Sequence, residues 1–152
     1  MNATGVRPPA VAGSFYPADA QALAALVDEQ LTAAQPPTPA TGPPAGVIVP
    51  HAGYVYSGPI AASAYALVRD RRRAVSRVVI AGPSHRIPLR GMAVPRSSTF
   101  LTPLGPVPVD EQLLAIAREH PEVSVDDRPH AAEHSLEVQL PFLQRVLGPE
   151  GW

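Results

Sequence analysis

Gly46-Val47-Ile48-Val49-Pro50-His51 and Val78-Val79-Ile80-Ala81-Gly82-Pro83-Ser84-His85 are two short apolar runs, each delivering a histidine just past its end. Runs this short, rich in β-branched residues and bounded by Pro and Gly, read as buried strands rather than surface helices. Between them Ser57 can cap a helix that tolerates Pro59 in its first turn and runs to about Arg69. The order is strand, loop with His, helix, strand, loop with His. In an open parallel sheet such loops emerge at one edge, outside the carboxyl ends of the strands, where ligands bind. The pattern therefore predicts an α/β fold with a mainly parallel central sheet and helices on both faces. It also predicts that the imidazoles of His51 and His85 face one cleft. Imidazole suits iron, copper and zinc, and two imidazoles in one cleft read as half of a metal site.

Outward from this unit, Ala18 to Ala33 reads as a helix with Leu23, Leu26, Val27 and Leu31 on one stripe. An extended arm holding Arg7 and Gly13-Ser14-Phe15-Tyr16-Pro17 precedes it, and a Pro- and Thr-rich connector from Gln35 to Ala45 follows. Gly91 to Val94 and Val123 to Val125 are expected as short strands. Residues 95–109, with Pro95, Pro103, Pro106 and Pro108, are expected to be irregular. A helix is expected from Asp110-Glu111 to just before Pro121, with Leu113, Leu114, Ile116 and Ala117 facing inward. A last helix, from Glu133 to about Leu147, would be kinked by Pro141.

Charge is balanced, 12 basic residues against 13 acidic, so no net field points to nucleic acid or an anionic membrane. The cluster Arg69-Asp70-Arg71-Arg72-Arg73 falls where a helix ends, a place that suits cations. With no cysteine the chain has neither disulfides nor a thiolate ligand, and with no lysine it excludes Schiff-base and P-loop chemistry. No apolar run approaches the roughly 18 residues of a membrane span, and the first residues lack a signal-peptide layout. A cytoplasmic location is the default expectation.

His130-Ala131-Ala132-Glu133-His134 matches the inverted zinc-peptidase pattern H-x-x-E-H, in which helical histidines bind zinc and the glutamate acts as base. Pro129 and the polar residues before it put the start of the helix here, so His130 would precede it. Ser84, beside His85, lies outside any G-x-S-x-G context and reads as a turn residue. Tyr54 and Tyr56 alternate after His51, and Tyr56 is the one expected to face the cleft.

Gly13-Ser14-Phe15-Tyr16, Pro50-His51-Ala52-Gly53-Tyr54, Gly82-Pro83-Ser84-His85, Glu133-His134-Ser135-Leu136-Glu137 and Gln139-Leu140-Pro141-Phe142-Leu143 occur here in that order. Together they resemble the Memo-like family, called AmmeMemoRadiSam system protein B in prokaryotes, and the resemblance spans essentially the whole chain. It implies the fold of class III extradiol dioxygenases, with a metal cleft at the carboxyl edge of the sheet. His51 and His85 match the family's two histidine ligands to iron (Fe2+), with copper or zinc as alternatives. His134, with Glu133 beside it, matches an active-site position near bound substrate. Phe15 and Tyr56 match aromatic positions at the pocket.

The resemblance also implies an Asp-Phe-(Ser/Cys)-His segment and a cysteine ligand further along, neither of which occurs here. The chain thus reads as a single domain over 1–152, the N-terminal half of a Memo-like protein with the C-terminal half absent and the sheet incomplete. Non-haem iron-dependent, dioxygenase-like oxidation is the function implied. The alternatives are a non-catalytic module holding a small molecule or peptide in the same cleft, and a zinc peptidase on H-x-x-E-H. Neither nucleic acid nor membrane is an expected partner, and homo-oligomers are allowed.

Overall fold

A computed structural model describes residues 5–36, 44–69 and 72–148. Part of the connector, part of the arginine cluster and Trp152 lie outside them. Three helices form the main core. The first, α1 (Ala20–Ala33), starts where the Asp19 carboxylate accepts the Ala22 N–H at 2.8 Å, an N-cap that satisfies a donor the helix cannot. Its buried stripe is Leu23, Val27 and Leu31, as the period predicts. The second, α2 (Tyr54–Arg69), begins one turn earlier than expected. Ser57 is therefore inside the helix, and its hydroxyl donates back to the Ala52 carbonyl at 2.9 Å. The last helix, α5 (Leu140–Leu147), lays Phe142, Leu143, Val146 and Leu147 against both. Tyr65 of α2 stacks on Phe142, 5.2 Å between centroids and 7° between planes.

The strands are short and form two separate sheets. In one, β1 (Gly5–Arg7) runs parallel to β3 (Ser97–Thr102), which turns into antiparallel β4 (Gly105–Pro108). In the other, β2 (Met92–Val94) is parallel to β5 (Val123–Val125). Between β4 and β5 lies α3 (Glu111–Arg118), capped by the Asp110 carboxylate, which accepts the N–H groups of Gln112 and Leu113 at 2.8 and 3.0 Å. A single helical turn, α4 (Arg128–Ala131), follows β5. No helix among the described residues is long and apolar enough to cross a membrane.

The class is thus mixed α/β, and four expectations change. First, 46–50 and 77–81 are extended but join no ladder, so a central parallel sheet is not formed among the described residues. Second, the stretch expected to be irregular contains the β3–β4 hairpin, with Pro106 and Pro108 on its outer strand. Proline is admitted to a sheet at such an edge, where its missing N–H would face away from the neighbour. Third, Ile116 points to solvent and only Leu114 of α3 is buried. Fourth, Glu133 to Leu136 is not helical. A short 3-10 turn, Glu137–Gln139, leads into α5, and Pro141 sits in its first turn, where a missing N–H costs nothing.

A buried ion pair locks the N-terminal arm to this turn. Glu137 is fully buried, and its carboxylate accepts from the Arg7 guanidinium, the Tyr16 hydroxyl at 2.5 Å and the N–H groups of Ala10 and Val11 at 2.8 and 3.1 Å. Arg7 is itself buried and donates to the carbonyls of His130 and Glu133 at 3.1 and 2.5 Å. Removing one partner of such a pair leaves a buried charge with nothing opposite it. We expect Glu137→Ala to lower unfolding free energy by about 3–5 kcal/mol in urea titrations, and a loss below about 1 kcal/mol would show the arm to be held otherwise.

Candidate metal centre

Four buried residues at alternate positions, Glu133, Ser135, Glu137 and Gln139, tie four different pieces of chain to one segment. Glu137 takes the arm. Gln139 donates to the Pro50 carbonyl at 3.2 Å while its own side-chain oxygen accepts the Tyr65 hydroxyl at 2.9 Å. Ser135 donates to the Pro83 carbonyl at 2.8 Å. The approach there is close enough that a Cβ on Gly82 would lie 2.9 Å from the Ser135 hydroxyl, which explains glycine at 82. Glu133 holds the second histidine directly, accepting the His85 N–H at 2.5 Å and lying 2.9 Å from His85 Nδ1. The loops after 46–50 and 77–81 are therefore positioned from behind, by side chains of 133–139, rather than by a sheet ladder.

The result brings three imidazoles together. His51, His85 and His134 each offer a ring nitrogen, and these atoms all lie within 4.8 Å of one another. Ring centroids are 5.2 Å apart for His51 and His85, 5.9 Å for His51 and His134, and 4.7 Å for His85 and His134. The expected pair, His51 and His85, is thus joined by His134, which only the family resemblance had put near the site. Orientation separates their roles. The His85 and His134 rings stack with 19° between planes, whereas His51 is inclined to them by 55° and 56°. A ring nitrogen bonds an ion in the plane of its own ring. The near-parallel His85 and His134 rings can share an ion only after one of them turns, whereas the planes of His51 and His85 cross.

Glu133 sets the state of this centre. Burial alone would raise its pKa. The side-chain bond to His85 and the N–H groups of His85, Ser135 and His134 overcome this and bring it down to about 2. A carboxylate held by four N–H groups is an acceptor that orients its neighbours. With Nδ1 of His85 directed at Glu133, Nε2 is the nitrogen left to face the cleft, the arrangement that carboxylate–histidine pairs give metal ligands. Burial lowers the pKa of His134, and the nearby His85 and His51 add to this against the opposing charge of Glu133. His134 Nδ1 is buried without a hydrogen-bond partner, 3.4 Å from the Glu133 carboxylate.

The other expected positions divide. Phe15 packs its ring on His134 at 4.7 Å, and its carbonyl accepts the Tyr54 N–H at 2.8 Å, so the arm forms one wall of the site. Tyr56 is 84 % exposed on the outer side of α2, near Gly53, while Tyr54 is buried with its hydroxyl donating to the Val138 carbonyl at 2.6 Å. His130 does not join the cluster. It is buried in α4, where its ring meets Phe100 edge-on at 6.0 Å, so the H-x-x-E-H histidines do not converge. Sequence reasoning missed Arg7, Ser135 and Gln139, which hold the site without carrying chemistry. For Ser135 and Gln139 the visible signal is polarity at alternate positions of 133–139, and Arg7 carries no comparable signal.

The sequence profile of the Memo-like protein family matches residues 7–150. The chain belongs to the Memo-like family. A MEMO1 family protein of Ignicoccus hospitalis is 45 % identical over 152 residues, covering 94 % of this chain and 53 % of that protein. One from Methanopyrus kandleri is 40 % identical, covering 93 % and 52 %, and one from Thermotoga maritima 39 %, covering 93 % and 54 %. This Memo-like chain spans about half the length of the curated relatives it matches. If Glu133 fixes the His85 ring, nitrogen NMR will show His85 protonated at Nδ1 in the native chain. Glu133→Ala should abolish that preference, and an unchanged tautomer would remove Glu133 from this role.

Proposed function

We propose that this Memo-like chain holds a divalent metal at His51 and His85, iron in the first instance with copper or zinc as alternatives, and, with iron, serves an oxidoreductase of the dioxygenase kind. One observation carries the proposal: three imidazoles converge, and one of them is oriented by a buried carboxylate. The donor set suits the group, since neutral imidazole is a ligand for all three metals. Bonds of about 2.0–2.1 Å to one ion put donor atoms roughly 3–3.4 Å apart. The candidate nitrogens, within 4.8 Å of one another, already stand near that spacing.

Iron bound there would supply Lewis-acid and redox chemistry toward oxygen and a substrate hydroxyl. The chain's own residues do the rest. Glu133 acts through His85, keeping its Nδ1 proton in place and so fixing which nitrogen faces the cleft. His134, neutral and beside the ligands, is suited to take a proton from a substrate hydroxyl and return it. Phe15 offers a flat apolar wall against His134 on which a planar, catechol-like or peptide side-chain group could rest. Tyr56 contributes at the outer rim. Because the relatives are about twice as long, the complete activity is proposed for the chain together with the polypeptide that corresponds to their remaining length.

Elemental analysis of protein loaded anaerobically with Fe2+ tests the site. Native chain and His130→Ala should hold about one equivalent, whereas His51→Ala and His85→Ala should lose binding by at least tenfold. His134→Ala should keep metal but lose any oxygen consumption seen with catechols. Metal that survives both His51 and His85 changes, or that departs only with His130, would overturn the assignment.

A further inference from the structure

The histidine cluster is bordered by a cation that the fold holds in place and leaves without a counter-charge. Arg86 directly follows His85. On one side of it, Glu133 accepts the His85 N–H at 2.5 Å and holds the His85 ring. On the other, the Ser84 hydroxyl donates to the Ile87 carbonyl at 2.7 Å and closes a tight turn around residues 85 and 86. The base of the Arg86 side chain is therefore tied down within one residue on either side, while the side chain itself is exposed. Exposed arginines elsewhere, Arg77, Arg128 and Arg145, each meet a carboxylate. Arg86 has no ion pair or side-chain hydrogen bond among the described residues. Its charge reaches the cluster. Burial is the main reason the His134 pKa lies low, and His85, His51 and Arg86 add to it by like-charge repulsion, against Glu133.

The negative charge at this centre is already committed, because the Glu133 carboxylate takes the His85 ring and three backbone N–H groups. A divalent ion on neutral imidazoles keeps its full positive charge, and Arg86 adds to it. Phe15, whose ring lies 4.7 Å from that of His134, supplies an apolar surface at the same imidazole. We propose that the cluster takes a small planar carboxylate, an aromatic acid whose carboxylate pairs with the Arg86 guanidinium while its ring lies against Phe15. The guanidinium fork matches a carboxylate with two parallel N–H bonds. An inorganic phosphate would leave the Phe15 surface uncovered, and a neutral phenol would leave Arg86 unpaired. The inference deepens the reading of the cluster as a metal centre and rests on it for the charge that the ion adds, while the Arg86 contact can be measured with the ion or without it.

Benzoate is the probe, and benzamide is its neutral counterpart of the same shape. Binding is followed through the NMR shifts of the His134 and Phe15 rings in the 152-residue chain, with and without Zn2+, and zinc content is measured beside each titration. Benzoate should bind about tenfold more tightly than benzamide, and more tightly still with zinc. Arg86→Gln, a change at an exposed side chain, should weaken benzoate by about fivefold or more and leave benzamide unaltered, and Arg86→Lys should restore part of the loss. A chain that takes up no zinc, yet prefers benzoate in an Arg86-dependent way, would discard the metal reading and keep the carboxylate site. Zinc taken up, with benzoate bound no better than benzamide or equally well by Arg86→Gln, would overturn the carboxylate site and leave the metal reading standing. Inorganic phosphate that displaces benzoate at equal concentration would also overturn it, since the centre would then hold any anion.

Discussion

Everything in this fold that bears on chemistry hangs on the buried Glu137 carboxylate and the Arg7 guanidinium opposite it. Two charges this deeply enclosed are tolerated because each is surrounded by further partners: Tyr16 and two backbone N–H groups on one side, two carbonyls on the other. The pair joins positions 130 residues apart. It fixes the arm that carries Phe15 and, through Arg7, the carbonyls at 130 and 133 on either side of the turn that presents Glu133. The same segment then reaches the two histidine loops through Ser135 and Gln139. The centre is therefore a product of one polar ridge set against a helical core.

That construction explains how the imidazoles can be in place while the extended segments leading to them stay unpaired. In a continuous sheet the neighbouring strands would set the positions of the loops. Here Ser135 and Gln139 grip the carbonyls of Pro83 and Pro50 from the core side. Helices α1, α2 and α5 supply the rigidity behind that grip.

The parts of the molecule that follow a period were legible in the sequence. The stripe of Leu23, Val27 and Leu31 and the helix start at Asp110 follow from helical spacing and local hydrogen bonding, while the cap at Asp19 falls where the pattern had already placed helix. The apolar runs before His51 and His85 foretold extended backbone and two histidines in one place, and family resemblance placed His134 near them. Pairing was not legible, because a ladder needs a partner and the pattern of one strand does not say whether its neighbour is present. Pro106 and Pro108 hid β4, since proline marks a loop locally and an edge strand only once the neighbour is known. The helix expected from Glu133 failed for a reason invisible to periodicity: the carboxylate gathers N–H groups from two loops, and the backbone at 133–136 follows it.

Three of the four groups that hold Glu133 are main-chain N–H groups, those of His85, His134 and Ser135. An amide donor belongs to every residue type except proline, so side-chain drift around the centre leaves the anchor of the carboxylate standing. The geometry of the histidines is consequently inherited in large part through backbone path. The restriction falls elsewhere, on the carboxylate itself and on any change that would bring proline to the amides it collects.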